Sequence, residues 1–204
     1  MVVTTMHMDR IMLVRLVGEQ AAGLYAAGAR LTEMMHVLPL ALGAVFMPRL
    51  AAAFDRGSTA YTKVARTAGG LVLVLTVPAA LAAPLLALWG IPLLLGDSYR
   101  STVAVWQVHV WTLVFVAIVS LRSRLWVVKR RTHWTLGLAL ITAILNLGGN
   151  LILISKYGGI GAAWSGVLAW GSSALILPWF MAGPARSMSR WWGIGPSRES
   201  DPTD

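Results

Sequence analysis

The sequence contains no cysteine among its 204 residues. Disulfide bonds and metal sites built from thiolates are therefore excluded. The chain has four histidines, and their spacing is not that of paired metal ligands: His7, His36, His109 and His133. We expect no bound metal and no cofactor, and the sequence does not indicate a metalloenzyme.

Acidic residues are also few, with eight Asp and Glu in the whole chain, and they are scattered along it. A membrane glycosyltransferase that uses a metal-bound sugar nucleotide would need an acidic loop or paired carboxylates. Since the sequence has no such loop, we expect a protein that is not an enzyme.

Charged residues of both signs make up only 12% of the chain, whereas 57% is hydrophobic and the mean hydropathy is +0.69. This composition is typical of polytopic membrane proteins. We predict an all-α bundle of about six membrane segments, of which the first is incomplete. The segments lie at about 1–16, 22–50, 64–95, 101–128, 134–154 and 160–181, and residues 184–204 form a disordered tail.

The net charge of +9 is distributed unevenly along the chain. Most basic residues fall in the loop that follows 22–50, in the loop near Arg130, and in the tail, whereas Arg15, Arg100 and Lys156 lie in the alternate loops. The positive-inside rule then places the basic loops and the C-terminus in the cytoplasm. The charge therefore indicates orientation in the cytoplasmic membrane, and we expect no nucleic-acid partner.

The segment 23–50 is apolar but contains Arg30, Glu33 and His36 near its middle. A charged residue at this depth costs about 2.5–3.5 kcal/mol, so it is usually paired or turned toward protein or water. At about 100° per residue, Arg30 and Glu33 share a narrow stripe with small residues. The complete stripe is Gly23, Ala26, Arg30, Glu33, Val37, Ala41 and Ala44.

Two interpretations of this segment remain open. Arg30 and Glu33, one helical turn apart, could form a structural ion pair. Alternatively, Arg30 could attract an anionic head group along a transport path, while Glu33 or His36 takes up a coupling cation or proton. The sequence does not choose between them.

Two other polar features fall within predicted segments. Arg122 lies at the cytoplasmic end of 101–128, where it could snorkel to anionic lipid or face a cavity and meet a phosphate. Asn146 and Asn150 lie one turn apart around a Gly-Gly pair, which favours close, hydrogen-bonded helix packing.

Two stretches resemble one protein family. The first, LNLGGNLILISKYGGIGAAWSGVLAW at 145–170, resembles the penultimate-helix signature of Wzx-type oligosaccharide flippases, which belong to the multidrug/oligosaccharidyl-lipid/polysaccharide exporter superfamily. The second, MDRIMLVRLVGEQAAGLYAAGARLTE at 8–33, resembles the start of the second half of the same proteins. Ser155 departs from the family pattern, which usually has Pro there, and Trp164-Ser165-Gly166 replaces a run of small residues.

The resemblance implies one half of a two-bundle transporter, the C-terminal half, that needs an N-terminal half or a second copy. Its implied substrate is undecaprenyl-pyrophosphate-linked oligosaccharide, flipped across the membrane during synthesis of cell-surface polysaccharide. Polysaccharide polymerase and glycosyltransferases would be further partners. Asp9, Arg10 and Glu33 would line or gate the cavity. A multidrug exporter half and a non-transporting subunit or fragment of an assembly complex remain alternatives.

The absence of cysteine makes the orientation directly testable, because any introduced cysteine is the only thiol in the chain. A cysteine at Arg130 should react with a membrane-impermeant thiol reagent only after the cells are permeabilised, since the basic loop is predicted to face the cytoplasm. A cysteine at Ser98, in the predicted external turn, should react in intact cells. The opposite pattern would overturn the orientation.

Overall fold

The computed structural model describes the backbone of residues 2–176 and the side chains of residues 8–176. The described chain is helical almost throughout and contains no strand. Its helices are α1 (Val2–Leu16), α2 (Glu19–Asp55), α3 (Ser58–Leu95), α4 (Thr102–His109), α5 (Thr112–Val128) and α6 (Thr132–Gly171). A 3-10 turn at Asp97–Tyr99 precedes α4, and a π-helical turn at Ser172–Ile176 follows α6.

Within this part of the chain, four helical stretches are long and apolar enough to cross a membrane: Glu19–Asp55, Ser58–Leu95, Thr102–Val128 and Thr132–Ile176. Large apolar side chains are exposed on their outer faces, including Leu85, Trp89 and Leu93 on α3. Such a surface suits hydrocarbon and not water. The prediction of an all-α membrane bundle is confirmed, while the count of six spanning segments stays a prediction.

The last of these stretches is folded back on itself at Gly158. The backbone of Gly158 has φ 56° and ψ −132°, which is not helical. Ser165 Oγ donates a hydrogen bond to the Asn146 carbonyl at 2.9 Å, although the two residues are 19 positions apart. In one straight helix they would lie about 28 Å apart. Two antiparallel arms, 132–157 and 159–171, therefore occupy the region of the segments predicted at 134–154 and 160–181.

The two arms approach closely because glycine leaves room between them. A Cβ atom at Gly149 would lie 2.5 Å from Ser165 Oγ, and one at Gly161 would collide with the Leu153 carbonyl. Farther from the bend, Thr142 Oγ1 and Ser173 Oγ are 2.5 Å apart. The first arm is thus joined by polar contacts to the second arm and to the π-helical turn that follows it, as expected for helices that pack through small residues in lipid.

The predicted segment 101–128 is divided into α4 and α5 by a tightened turn. Trp111 N–H donates to Val108 O and Leu113 N–H to Val110 O, both of them bonds to the third residue back. The backbone angles of Val110 and Trp111 stay in the right-handed helical region. The two helices consequently continue in one direction as a single stretch.

Helix α2 lies at the centre of the bundle, where it contacts α1, α3, α4, α5 and α6. One buried cluster joins α2 to α1, α4 and α6, and includes Leu13, Tyr25 and Ile154. Another joins α2 to α3 and α5, and includes Leu50 and Leu121. A third cluster joins α5 to α6. The end of the predicted segment 160–181 and the predicted tail 184–204 lie outside the described residues.

The bend at Gly158 leads to a stability prediction. Gly158→Ala should lower the free energy of unfolding by about 1–3 kcal/mol, because an L-residue is strained at this backbone conformation. Gly148→Ala is the matched control, since it lies in the first arm with open space where the methyl group would go. It should be neutral or stabilise by up to about 1 kcal/mol. Thermal unfolding in detergent measures both, and equal effects would contradict the assigned bend.

Candidate functional site

The charged cluster, which we define as Arg10, Arg30 and Glu33, joins α1 to α2. Arg10 Nη2 lies 2.5 Å from Glu33 Oε1, and both side chains are 20% exposed. Arg30 Nη1 lies farther from the same carboxylate, 3.7 Å from Oε2, and its side chain is 64% exposed. The predicted contact between Arg30 and Glu33 is present, but Arg10 of the neighbouring helix is the closer partner. Arg30 is left facing outward.

The charged cluster lies near mid-length on α2. This helix has 37 residues, and Arg30 and Glu33 precede its central residue, Val37, by no more than two turns. The small-residue stripe predicted around them contains no buried residue: each position is exposed or half-buried. In the described chain this face of α2 is largely uncovered, apart from Glu33, which Arg10 of α1 contacts. A permanent charge at this depth would be costly against hydrocarbon, so the face is suited to protein or to water.

Asp9 belongs to a separate, buried cluster. Tyr25 Oη donates to Asp9 Oδ2 at 3.0 Å, and Asn150 Nδ2 donates to Asp9 Oδ1 at 2.5 Å. Asn150 Nδ2 also donates to Asn146 Oδ1 at 3.1 Å. These bonds tie α1 to α2 and to the first arm of α6. The asparagines were predicted to pack helices together, but their partner Asp9, 141 positions from Asn150, was not predicted.

A small cavity lies between these two clusters. Its volume is about 20 Å³, enough for one water molecule. Asp9 and Glu33 both line it, as do His36, His109 and Thr112; the remaining lining residues are Tyr25, Ala29, Asn146, Gly166 and Trp170. The fold therefore brings together three residues that were predicted as candidates for the site: Asp9, Glu33 and His36. Neither Arg10 nor Arg30 lines the cavity.

Arg122 does not face a cavity, nor does it snorkel to the surface. Its side chain is completely buried, and it donates from Nη1 to Ser173 O at 3.1 Å and from Nη2 to Ala174 O at 2.7 Å. Both carbonyls belong to the π-helical turn. A change from α to π hydrogen bonding leaves carbonyls without their usual donors, and the guanidinium group supplies donors to them. The structure therefore places Arg122 inside the bundle against backbone carbonyls, and its predicted contact with a phosphate or with lipid stays a prediction.

Arg124, which follows Arg122 by two residues and was expected to snorkel with it, also donates to backbone carbonyls, one of them on α2. Its Nη2 donates to Leu40 O at 3.0 Å, and its Nη1 donates to Ser120. The guanidinium group occupies the space that a side chain at Gly43 would fill.

Among the described residues, no group of three or more His, Asp or Glu is placed to hold a metal ion.

The two ion pairs of Glu33 can be compared with double-mutant cycles. The cycle of Arg10→Gln with Glu33→Gln should give a coupling energy of about 1–2 kcal/mol, because both groups are shielded from water. The cycle of Arg30→Gln with Glu33→Gln should give less than about 0.5 kcal/mol, since Arg30 is exposed and more distant. Unfolding in mixed micelles measures both, and a larger coupling for Arg30 would contradict the geometry.

Comparison with known proteins supports the flippase resemblance in its broader form. The model of the family described as lipid II flippase MurJ matches residues 10–195 of the 204. No curated protein matches the chain significantly. The predicted flippase superfamily is thus confirmed, and the Wzx-type branch within it stays a prediction. Because this match covers most of the chain, including the stretch 145–170, the stretch 8–33 from residue 10 onward and all of the charged cluster, the chain belongs to the lipid II flippase MurJ family of multi-pass membrane proteins.

Proposed function

We propose that this chain moves a lipid-linked saccharide precursor across the cytoplasmic membrane. The name of its family gives lipid II as the cargo, and we take lipid II as the first candidate substrate. The undecaprenyl-pyrophosphate-linked oligosaccharide of cell-surface polysaccharide synthesis, implied by the Wzx-type resemblance, is the second. Translocation makes and breaks no covalent bond, so the proposal does not require a catalytic residue.

The observation that carries the proposal is the exposed position of Arg30 on the uncovered face of α2. Glu33 is already neutralised by Arg10 at 2.5 Å, so Arg30 keeps donors available for another anion. A guanidinium group can bind a phosphate through two parallel hydrogen bonds. The small residues Gly23 and Ala26 before it, and Ala41 and Ala44 after it, leave room along the helix for a bulky head group.

The uncovered face also supports the proposal that the chain is the C-terminal half of a two-bundle transporter. A charged face at membrane depth is stable if a second bundle encloses it around a water-filled cavity. The polar sugars would then lie in that cavity and the polyprenyl chain in lipid. We propose that an N-terminal half, or a second copy of the chain, supplies the opposite wall, and that polymerase and glycosyltransferases act with the complete transporter.

Four further residues have supporting roles in this proposal: Asp9, Arg10, Glu33 and His36. Arg10 and Glu33 hold α1 against α2 and gate the face that carries Arg30. Glu33 or His36 takes up the coupling ion, because both line the same small cavity. Asp9 lies at the far side of that cavity and holds α6 in place.

A drug-exporting half of the same superfamily is the main alternative function. Many exported drugs are apolar or cationic, and an outward-facing arginine disfavours a cationic ligand by like-charge repulsion. A non-transporting subunit is a further alternative, and it would leave Arg30 without a ligand. All three functions make different predictions for substitutions at Arg30.

In proteoliposomes that contain the complete transporter, Arg30→Gln should reduce translocation of a fluorescent lipid-linked saccharide about tenfold or more. The reason is that a hydrogen bond to a charged group contributes about 1.5–3 kcal/mol, and about 1.4 kcal/mol corresponds to a factor of ten. Arg30→Lys should retain part of the activity, since it keeps the charge but loses the paired donors. Lipid II and a surface-polysaccharide precursor, assayed side by side, would distinguish the two candidate cargoes.

Arg100→Gln is the control for this experiment. Arg100 is also an exposed arginine with an acidic neighbour, Asp97 at 2.9 Å, but it lies in the turn before α4 and outside the charged cluster. Its substitution should leave translocation unchanged. Full activity of Arg30→Gln at normal protein levels would refute the role of Arg30.

A further inference from the structure

The π-helical turn that follows the second arm of α6 is held by a side chain of α5. Arg122 Nη1 donates to Ser173 O at 3.1 Å, and Arg122 Nη2 donates to Ala174 O at 2.7 Å. The two carbonyls belong to adjacent residues, and the planar guanidinium group presents two donors to them side by side. In an α-helix, each carbonyl would instead accept from the backbone N–H four residues ahead. A distant side chain therefore takes the place of backbone donors at this turn.

A second polar contact joins the turn to the first arm of α6. Thr142 Oγ1 and Ser173 Oγ lie 2.5 Å apart, and each also lies within hydrogen-bonding distance of a carbonyl of its own helical arm. These carbonyls are Leu138 O, at 2.7 Å from Thr142, and Ala169 O, at 2.9 Å from Ser173. Two hydroxyl hydrogens serve three contacts. When Ser173 donates to Thr142, Ala169 O is open to the backbone N–H of Ser173, its α-helical donor. The hydroxyl pair is thus compatible with both π and α bonding.

The residues of the turn do not favour one form strongly. Gly171, Ser172 and Ser173 are weak helix formers, so the α form has little intrinsic advantage here. All residues at 171–174 are small. A shift of one residue in hydrogen-bond register consequently presents another small side chain to α5, and the packing of the turn tolerates either form.

We propose that Ser172–Ile176 is a two-state turn and that Arg122 is the positioning residue that selects its π form. With the guanidinium group in place, the carbonyls of Ser173 and Ala174 have donors without α-helical bonds. When α5 moves away, the turn passes to α bonding and these carbonyls take backbone donors, so neither form leaves them buried and unpaired. A shift of one residue turns the end of the segment by about 100° and moves it by about 1.5 Å along the arm.

The released guanidinium group has a destination at the end of α5. Arg122 precedes Val128, the last residue of α5, by six positions, which corresponds to about 9 Å along the helix. The long stem of an arginine can carry its charged head most of that way toward a membrane surface. The contact with lipid or with a phosphate that the sequence predicts for Arg122 would belong to the α form.

The use of this turn in transport rests on the proposed function. Alternating access requires packed helices to move against one another. The junction of Arg122, Ser173 and Thr142 joins α5 to both arms of α6, so it must either resist such a movement or accommodate it. A segment with two discrete arrangements accommodates it. The two-state turn allows α5 to move while the two arms of α6 stay bonded to each other.

One NMR signal can report the state of the turn, because Ser173 and Ala174 form the only Ser-Ala pair in the sequence. The purified chain, labelled with ¹³C-carbonyl serine and ¹⁵N-alanine in lipid bilayers, should give a single carbonyl–nitrogen correlation for this pair. In Arg122→Met the signal should move, because Ser173 O loses its charged donor and the turn passes to α bonding. Arg124→Met is the matched control, since Arg124 donates to α2 and to its own helix. It should leave the signal in place.

Arg122→Lys is the milder variant and serves if Arg122→Met does not fold. It keeps the charge, but one ammonium group does not reproduce the paired, planar donors of the guanidinium group. The Ser173–Ala174 signal should therefore move in this variant too, by a smaller amount. An unchanged signal in a folded variant of Arg122 would overturn the proposal.

Deletion of Leu175 tests the two forms of the turn by stability. Leu175 is exposed, and its removal takes away the extra residue that π bonding accommodates. In the full chain, Arg122→Met should lower the thermal unfolding midpoint in detergent by about 5 °C or more, because buried carbonyls lose their donors. In the deletion variant it should lower the midpoint less, or raise it, since the π carbonyls no longer accept from Arg122. Arg124→Met should have the same effect in both backgrounds. Equal effects of Arg122→Met in both would reject Arg122 as the group that selects the π form.

Transport distinguishes a two-state turn from a contact that is only structural. The variant that combines Arg122→Met with deletion of Leu175 should fold with a fixed α turn. In proteoliposomes with the complete transporter, it should lose most of its translocation of the lipid-linked saccharide. Full translocation by the folded variant would contradict a role of the turn in transport. The NMR and unfolding measurements use no cargo, so a failed Arg30 test would reject the proposed cargo contact and leave the two-state turn standing.

Discussion

One constraint governs this structure: a charge or a hydrogen-bonding group that is placed in hydrocarbon without a partner is costly. Glu33 lies near the middle of α2 and is held by Arg10 of α1 at 2.5 Å. Asp9, one residue before Arg10, is buried and bonded to Tyr25 and Asn150. Adjacent residues of α1 therefore satisfy polar groups on two different helices. This requirement fixes the rotation of α1 against both α2 and α6.

Basic side chains are used in two ways. Arg122 and Arg124 donate to backbone carbonyls, Arg122 at the π-helical turn and Arg124 on α2 beside Gly43. Their donors are occupied within the bundle, so they stabilise its irregular places. Arg30 differs because its neighbour Glu33 is bound more closely by another residue. The number of arginines in the bundle therefore does not locate a binding site. The partner that each arginine binds is the more informative observation.

Membership of the lipid II flippase family and the Wzx-type resemblance agree about the class of transport and differ about the cargo. The charged cluster is suited to a phosphate and contains nothing specific for a particular sugar. In the proposed two-bundle transporter, selection of the sugar would depend on both walls of the cavity, and this chain would supply one of them. The small cavity is lined by Glu33 and His36 and does not include Arg30.

The sequence by itself determined the helical class, the membrane environment, the superfamily and the unusual charge on α2. It did so because hydropathy, helical periodicity and sequence motifs are local properties of the chain. Only the tertiary structure decided that Glu33 binds Arg10 most closely, that Asp9 meets Asn150, and that Arg122 is buried. These contacts depend on the rotation and crossing of helices distant in sequence, which the pattern along one helix does not specify.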